Sequence, residues 1–313
     1  MQQQIQSTIT QREFSVGICA TGDVRSLEIL LSRVLEERYP SPFILKKIIV
    51  VASGCLPESL AFARELSKTD KRLLLIEEDT RYGKAEAINR IIQNAVGEYF
   101  VFVNSDAMPE RGSISLLLLA INKDPAIGII SGCPVFDKKR GLTSRLLQLM
   151  WLAHNECSRE LNDASISNHS SDELMIARSG ALHALPDGLV NDGAFMAGMA
   201  KRDGFLVKFC ERSKVKIDVP ASLFGLIRQR RRITYGHLQV WKLTGKAPRT
   251  IESLLLFSPW TSLSILVRTL AKHPDLIVAL PLGAIEEVFA SFLAVRDNFL
   301  STRQHSVWKR YGS

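Results

Sequence analysis

Four short clusters of side chains in this sequence can do chemistry. Asp106, in Asn104-Ser105-Asp106, follows the apolar run Tyr99-Phe100-Val101-Phe102-Val103. Such a run of β-branched and aromatic residues, bounded by polar turns, reads as a strand buried on both faces of a parallel sheet. Ligands of open α/β sheets sit just beyond the carboxyl ends of such strands. A hard divalent cation on a diphosphate needs only one or two protein carboxylates, because phosphate oxygens and water complete its shell. Asp106 is placed to be that ligand, and it is equally placed to cap a helix starting near Arg111. The second cluster, Arg228 with Gln229-Arg230-Arg231-Arg232, offers planar bidentate donors to a diphosphate or lipid phosphate. Helical spacing prevents all four guanidinium groups from facing one ligand. In the third, Gly83-Lys84-Ala85-Glu86-Ala87-Ile88-Asn89, Lys84 opens a helix where backbone amides and its ammonium can meet a nucleotide, or where it is simply solvated. The fourth, Asn191-Asp192, precedes a helical stretch, and capping alone would explain its aspartate.

These clusters need a scaffold. With 313 residues, 46% hydrophobic and 23% charged, the chain can bury one full-sized core and a smaller appendage. Cys19, Cys55, Cys133, Cys157 and Cys210 lack CxxC spacing, which argues against a zinc site or a disulfide framework and fits a cytosolic compartment. The amino terminus lacks the basic start and apolar run of a secretory signal and reads as a disordered lead over 1–13. Strands are expected at 14–20, 47–52, 73–77, 99–103 and 127–131, with helices at 27–38, 57–67, 84–94 and 113–121. That alternation requires a mainly parallel, Rossmann-like sheet flanked by helices. A helix over 142–160, a polar loop over 162–171 and a helix over 193–201 capped by Asp192 follow. Asp172-Glu173 reads as a surface pair, with a place in an acceptor cleft as the alternative. The net charge is +8, yet residues 201–249 alone carry thirteen Lys or Arg against three acids, so the partner of that segment should be anionic.

Taken in order, the Gly-Lys-Ala-Glu-Ala-Ile-Asn helix, the strand ending in Asn104-Ser105-Asp106, Asn191-Asp192 and Gln229 to Arg232 resemble the family-two inverting glycosyltransferases with the GT-A fold. The resemblance covers roughly 14–249, the expected catalytic domain. It implies that Asp106 is the second carboxylate of the Asp-x-Asp element, holding Mg²⁺ or Mn²⁺ against the diphosphate of a nucleotide-sugar donor. Asn104 stands where the first carboxylate usually lies, and its uncharged oxygen would accept from ribose or coordinate weakly. Asp192 matches the general base of the Glu-Asp element, with Asn191 replacing the Glu. Gln229 and Arg232 match Gln-x-x-Arg-Trp, with Arg230 in the same phosphate-binding cluster. Ile233 replaces the tryptophan and removes an aromatic acceptor platform. At the nucleotide end Asp23 stands in for a Glu, and Ala52-Ser53 replaces the acidic pair that often reads the base.

The implied reaction is a single in-line displacement at the anomeric carbon, transferring a sugar to a sugar or lipid-linked acceptor with inversion. A degenerate binding module and a sugar nucleotidyltransferase are the alternatives, and nucleic acid ranks last because no groove-reading module accompanies the basic segment. Residues 250–313 form the expected helical appendage. Residues 253–267 and 276–285 are uncharged runs of fifteen and ten residues, short of the roughly 20 that span a bilayer. Flanking Arg268, Lys272, Arg296, Lys309 and Arg310, with Trp260 and Trp308, suggest helices packed on the domain or lying in an anionic membrane interface, peripheral on its cytoplasmic face.

Overall fold

The protein is seen in a computed structural model that describes residues 10–22, 26–137, 141–300 and 305. Its strands are β1 (Arg12–Gly22), β2 (Phe43–Cys55), β3 (Leu73–Glu78), β4 (Tyr99–Asn104), β5 (Ala107–Pro109), β6 (Ile127–Val135), β7 (Leu174–Arg178) and β8 (Leu206–Ile217). Its α-helices are α1 (Ser26–Glu36), α2 (Ala61–Thr69), α3 (Lys84–Asn94), α4 (Ser113–Ile121), α5 (Leu142–Asp163), α6 (Asp192–Arg202), α7 (Leu223–Thr244), α8 (Ile251–Phe257), α9 (Pro259–Lys272) and α10 (Leu280–Leu300). The strands form one sheet in the order β3-β2-β1-β4-β7-β6-β8-β5.

The apolar run in β4 explains the layering. Successive strand side chains point to opposite faces. Tyr99, Val101 and Val103 therefore join the core under α1, α2 and α4, while Phe100 and Phe102 join the core under α3 and α6. The β3-β2-β1-β4 half is parallel throughout. Beyond it the sheet is mixed: β7 runs antiparallel to both β4 and β6, and β5 antiparallel to β8.

The structure departs from the sequence expectation at several points. Residues 174–178 and 206–217 are strands, the latter inside the basic segment. In β8 the buried Val215 and Ile217 alternate with exposed Lys214 and Lys216, so the positive charges line its outer face. Gly112 caps α4, so Asp106 is not its cap, and the chain after Asp106 enters β5. The cap of α6 is Asn191, whose side chain accepts the Ala194 N–H at 3.1 Å, which puts Asp192 in the first turn. The amino-terminal lead up to residue 9, Asp23, and Trp308 with Lys309 and Arg310 lie outside the described residues.

The uncharged runs also underestimated the last helical segment. Pro274–Leu300 is a helical stretch of 27 residues containing an 18-residue window with a mean hydropathy of 1.9, long and apolar enough to cross a membrane by length and composition. Two of its four acidic residues are nevertheless committed to α7. Glu287 accepts from Arg230 at 2.8 Å, and the fully buried Asp297 pairs with Arg231 at 2.6 Å. Arg230 and Arg231 therefore anchor the appendage to the rest of the fold.

Removing one partner of a buried ion pair leaves the other under-compensated, and without Arg231 the buried Asp297 would keep, among the described residues, His305 at 2.8 Å and Arg296 at 3.7 Å. Arg231→Met should lower stability by about 3 kcal/mol and expose the α9–α10 region to limited proteolysis. Arg231→Met combined with Asp297→Leu should recover most of that loss in a denaturant melt.

Candidate active site

The carboxyl ends of β1 and β4 lie side by side, with Cys19 opposite Asn104. Over them opens a cavity of about 540 Å³ lined by residues from every sequence cluster but Asn191-Asp192: Lys84 from α3, Asn104 and Asp106 after β4, and Gln229 and Arg232 from α7. At its far end Arg81 donates to the Gly54 carbonyl at 3.3 Å, across the end of β2. A positive charge thus stands in the region that lost its acidic pair, a residue the sequence reading missed although it lies three positions before Lys84.

Behind this cavity lies a buried charge cluster. Lys84 Nζ hydrogen-bonds to Asp172 and sits 3.1 Å from Asp192 Oδ2. Asp172 and Glu173 are cavity residues, so the surface-pair reading was wrong. Burial alone would raise the Asp172 carboxyl, but the Lys84 ammonium outweighs it and holds the group down at about 2. Burial pushes Asp192 up to about 6, with Lys84 opposing and the Asp172 charge adding to the rise. Burial, then Asp172, pushes Glu173 up to about 7. Lys84 is itself half-buried, and the two carboxylates more than offset the cost of partly burying its charge, so its pKa rises.

Side-chain latches hold these elements in register. Asn89 of α3 donates to the Leu185 carbonyl at 2.9 Å and accepts the Leu185 N–H at 2.8 Å, tying the helix of Lys84 to the segment leading into α6. Gln239 of α7 accepts the Val190 N–H and donates to the Gly188 carbonyl. Two glycines permit close approach. A Cβ at Gly193 would lie 2.5 Å from the Ser170 carbonyl oxygen, and one at Gly236 would lie 2.8 Å from the Asn191 Cβ. Asp192 can approach Asp172 only because those positions are bare.

The arginines divide. Arg232 faces the cavity and donates to the His305 carbonyl at 3.2 Å. Arg230 points away, into Glu252 and Glu287, so the expectation that it meets the diphosphate is corrected. Trp151 of α5, which the sequence reading did not single out, lines the same cavity as Ile233 and gives it an aromatic surface. Asp192 lines neither this cavity nor the smaller one behind it and communicates with both through Lys84 and Asp172. Among the described residues no group of three or more His, Cys, Asp or Glu is arranged to hold a metal. A cation on a ligand diphosphate needs fewer protein donors, and the Asp106 carboxylate with the Asn104 side-chain oxygen at the rim fits that case.

The sequence model described as "Glycosyl transferase family 2" matches residues 15–183, more than half of the chain. The chain belongs to that family. Its architecture is GT-A-like: a mannosyltransferase from Pyrobaculum calidifontis, solved with GDP-Man and Mn²⁺, superposes with a TM-score of 0.64 over 94% of this chain and 89% of that one, at 19% identity. Poly-β-1,6-N-acetyl-D-glucosamine synthases of Staphylococcus epidermidis and of Staphylococcus aureus strain COL are 23% and 22% identical over 215 and 220 residues. The chain spans about half the length of these curated relatives.

Lys84 should be the stability determinant of this site. Asp172, held low by Lys84, contributes stability above the ordinary carboxylate pKa of about 4, and this is lost only as pH falls towards about 2. Asp192, raised to about 6, costs stability as pH rises from about 4 to 6. Without Lys84 both carboxyls would titrate higher. The destabilisation by Lys84→Met should therefore be smallest near pH 4 and reach about 3–5 kcal/mol at pH 8, read from denaturant melts across that range.

Proposed function

We propose that this protein moves a sugar from a nucleotide-diphosphate donor to an acceptor hydroxyl with inversion. The observation carrying the proposal is the convergence of Asp106, Asn104 and Arg232 on the rim of one cavity whose inner wall is the Lys84–Asp172 pair, with Asp192 behind it. Gln229 and Arg232 bind and orient the diphosphate. Asp23, outside the described residues, is assigned to the nucleotide end on sequence alone. Asp106 and Asn104 would hold Mg²⁺ or Mn²⁺, which when bound neutralises charge on the departing diphosphate.

The displacement follows from the chain's own groups. The acceptor oxygen bonds to the anomeric carbon as the bond from that carbon to the diphosphate breaks, and the hydroxyl proton passes to a carboxylate on the opposite face. Asp192 is the assigned base, and Lys84 leaves it to meet the diphosphate when donor binds. Exposure favours one competitor: Asp172 lines the cavity and Asp192 does not. The acceptor is a sugar, free, lipid-linked or at a growing glycan end, in keeping with the polysaccharide synthases among the relatives. The reading also places the protein on the cytoplasmic face of an anionic membrane, supported by exposed apolar side chains on the appendage, including Leu256, Trp260, Phe292 and Phe299.

Two measurements test the catalytic reading. With Mn²⁺ and a panel of nucleotide sugars, transfer or donor hydrolysis should be found, and Asp192→Asn should reduce it about 10²–10⁴-fold. Because the base must be deprotonated, kcat/KM should fall as pH drops through about 6 if Asp192 is the base, whereas Asp172, held at about 2, would leave no such limb. Absence of turnover from folded protein on the whole panel, with plausible acceptors, would sink the enzyme reading. Calorimetry with UDP and GDP should show Mn²⁺-dependent binding that Asp106→Ala abolishes.

The membrane reading predicts flotation with vesicles containing anionic lipid. Trp260→Glu with Phe299→Glu should abolish it, and equal recovery of the variant would contradict the assignment.

A further inference from the structure

A second cavity, of about 110 Å³, opens from the first between α5, the loop over 164–173, α7 and α8. Trp151, Asp172, Glu173, Gln229 and Ile233 line both, so the two chambers meet at the buried charge cluster. We propose that this second chamber receives the terminal sugar of the acceptor and selects an uncharged sugar over an acidic one. The proposal rests on the glycosyltransferase reading of the larger cavity and adds the substrate class at its far side.

Three histidines give the chamber its character. His154 of α5, His169 of the loop and His237 of α7 form an edge-to-face chain, with ring centroids 5.8 and 5.4 Å apart. Burial holds all three well below the ordinary imidazole range, His154 and His237 at about 4 and His169 at about 3, so they are neutral at pH 7. The Nε2 atoms of His154 and His237 are buried without a hydrogen-bond partner among the described residues. A buried polar atom left unpaired is costly, and such atoms in native structures are normally matched by a ligand, water or ion. Neutral imidazole nitrogens donate to or accept from hydroxyl groups.

The other walls narrow the ligand. Leu147, Met150 and Leu226 form an apolar side, which suits the C–H face of a sugar ring while the imidazoles meet its hydroxyl edge. Trp151 at the junction offers a flat aromatic surface to the same ring. Charge works against an anion. Among the described residues the one arginine lining the chamber, Arg230, is matched by Glu252 and Glu287, while Asp172 and Glu252 present carboxylates. An acidic sugar would find no unmatched cation here. Since one liquid water occupies about 30 Å³, the chamber has room for several, or for the substituted edge of one ring in their place.

The test is saturation-transfer NMR on the full chain, with the diamagnetic Mg²⁺ and UDP or GDP filling the donor cavity, and with glucose, N-acetylglucosamine and glucuronate as probes. A neutral sugar should bind at least about tenfold more tightly than glucuronate, the scale of one well-made hydrogen bond. Filling the chamber by His237→Phe or by Met150→Phe should abolish the neutral-sugar signal in protein whose melting profile shows it folded. Equal binding of glucuronate, no binding of either neutral sugar, or undiminished binding to the folded variants would overturn the proposal. The wild-type comparison decides it even if neither variant folds. Failure of every nucleotide to bind would count against the donor reading, and sugar binding measured without nucleotide would then decide the chamber separately.

Discussion

One ammonium holds this site together. Lys84 lies among Asp172 and Asp192, two carboxylates brought from different elements to one point. Like charges that close cannot both ionise without a cation between them. Lys84 keeps Asp172 ionised while Asp192 is drawn towards neutrality, so the pair is poised unequally. Unequal pKa values in neighbouring groups commonly mark acid–base function. The latches at Asn89 and Gln239 and the close approaches at Gly193 and Gly236 all serve to bring α3, α6 and α7 to this point.

The appendage depends on a second use of buried charge. The basic segment promised an anionic partner, and part of that partner is the chain itself. Arg230 and Arg231 meet Glu252, Glu287 and Asp297 from α8 and α10, leaving Arg232 to face the cavity. A helix apolar enough in composition to enter a membrane is thus pinned along one side to the catalytic domain. Its remaining apolar surface faces outwards.

Much of the fold was legible because local signals agreed with it. The limits of α3 and α4 coincide with the expected 84–94 and 113–121, where apolar periodicity and flanking glycines act together. β4 was legible because five apolar residues in a row fit only an element covered on both faces. β8 was not, since Lys208, Arg212, Lys214 and Lys216 interrupt its apolar residues, although the alternation of Val215 and Ile217 with Lys214 and Lys216 carried the period of a strand. Asp106, Lys84, Gln229 and Arg232 meet in one cavity, as their order in the chain implied. Asp172 was legible only as the second of two readings and Trp151 not at all, because tertiary contact assigns them: a carboxylate beside a polar loop looks solvated, and a tryptophan in an amphipathic helix looks like core. Arg230 misled for the same reason, its partners lying 22 and 57 residues away.

The central claim is that donor diphosphate, buried charge cluster and acceptor chamber lie in that order along one continuous path. A crystal structure with Mn²⁺ and a non-hydrolysable nucleotide sugar tests it most directly. The account predicts the diphosphate between Asp106 and Arg232, Lys84 turned from Asp192 towards it, and the sugar pointing at the junction with the histidine chamber. A nucleotide bound with its diphosphate away from Asp106 and Arg232, or with its sugar directed away from Asp172 and Asp192, would contradict it.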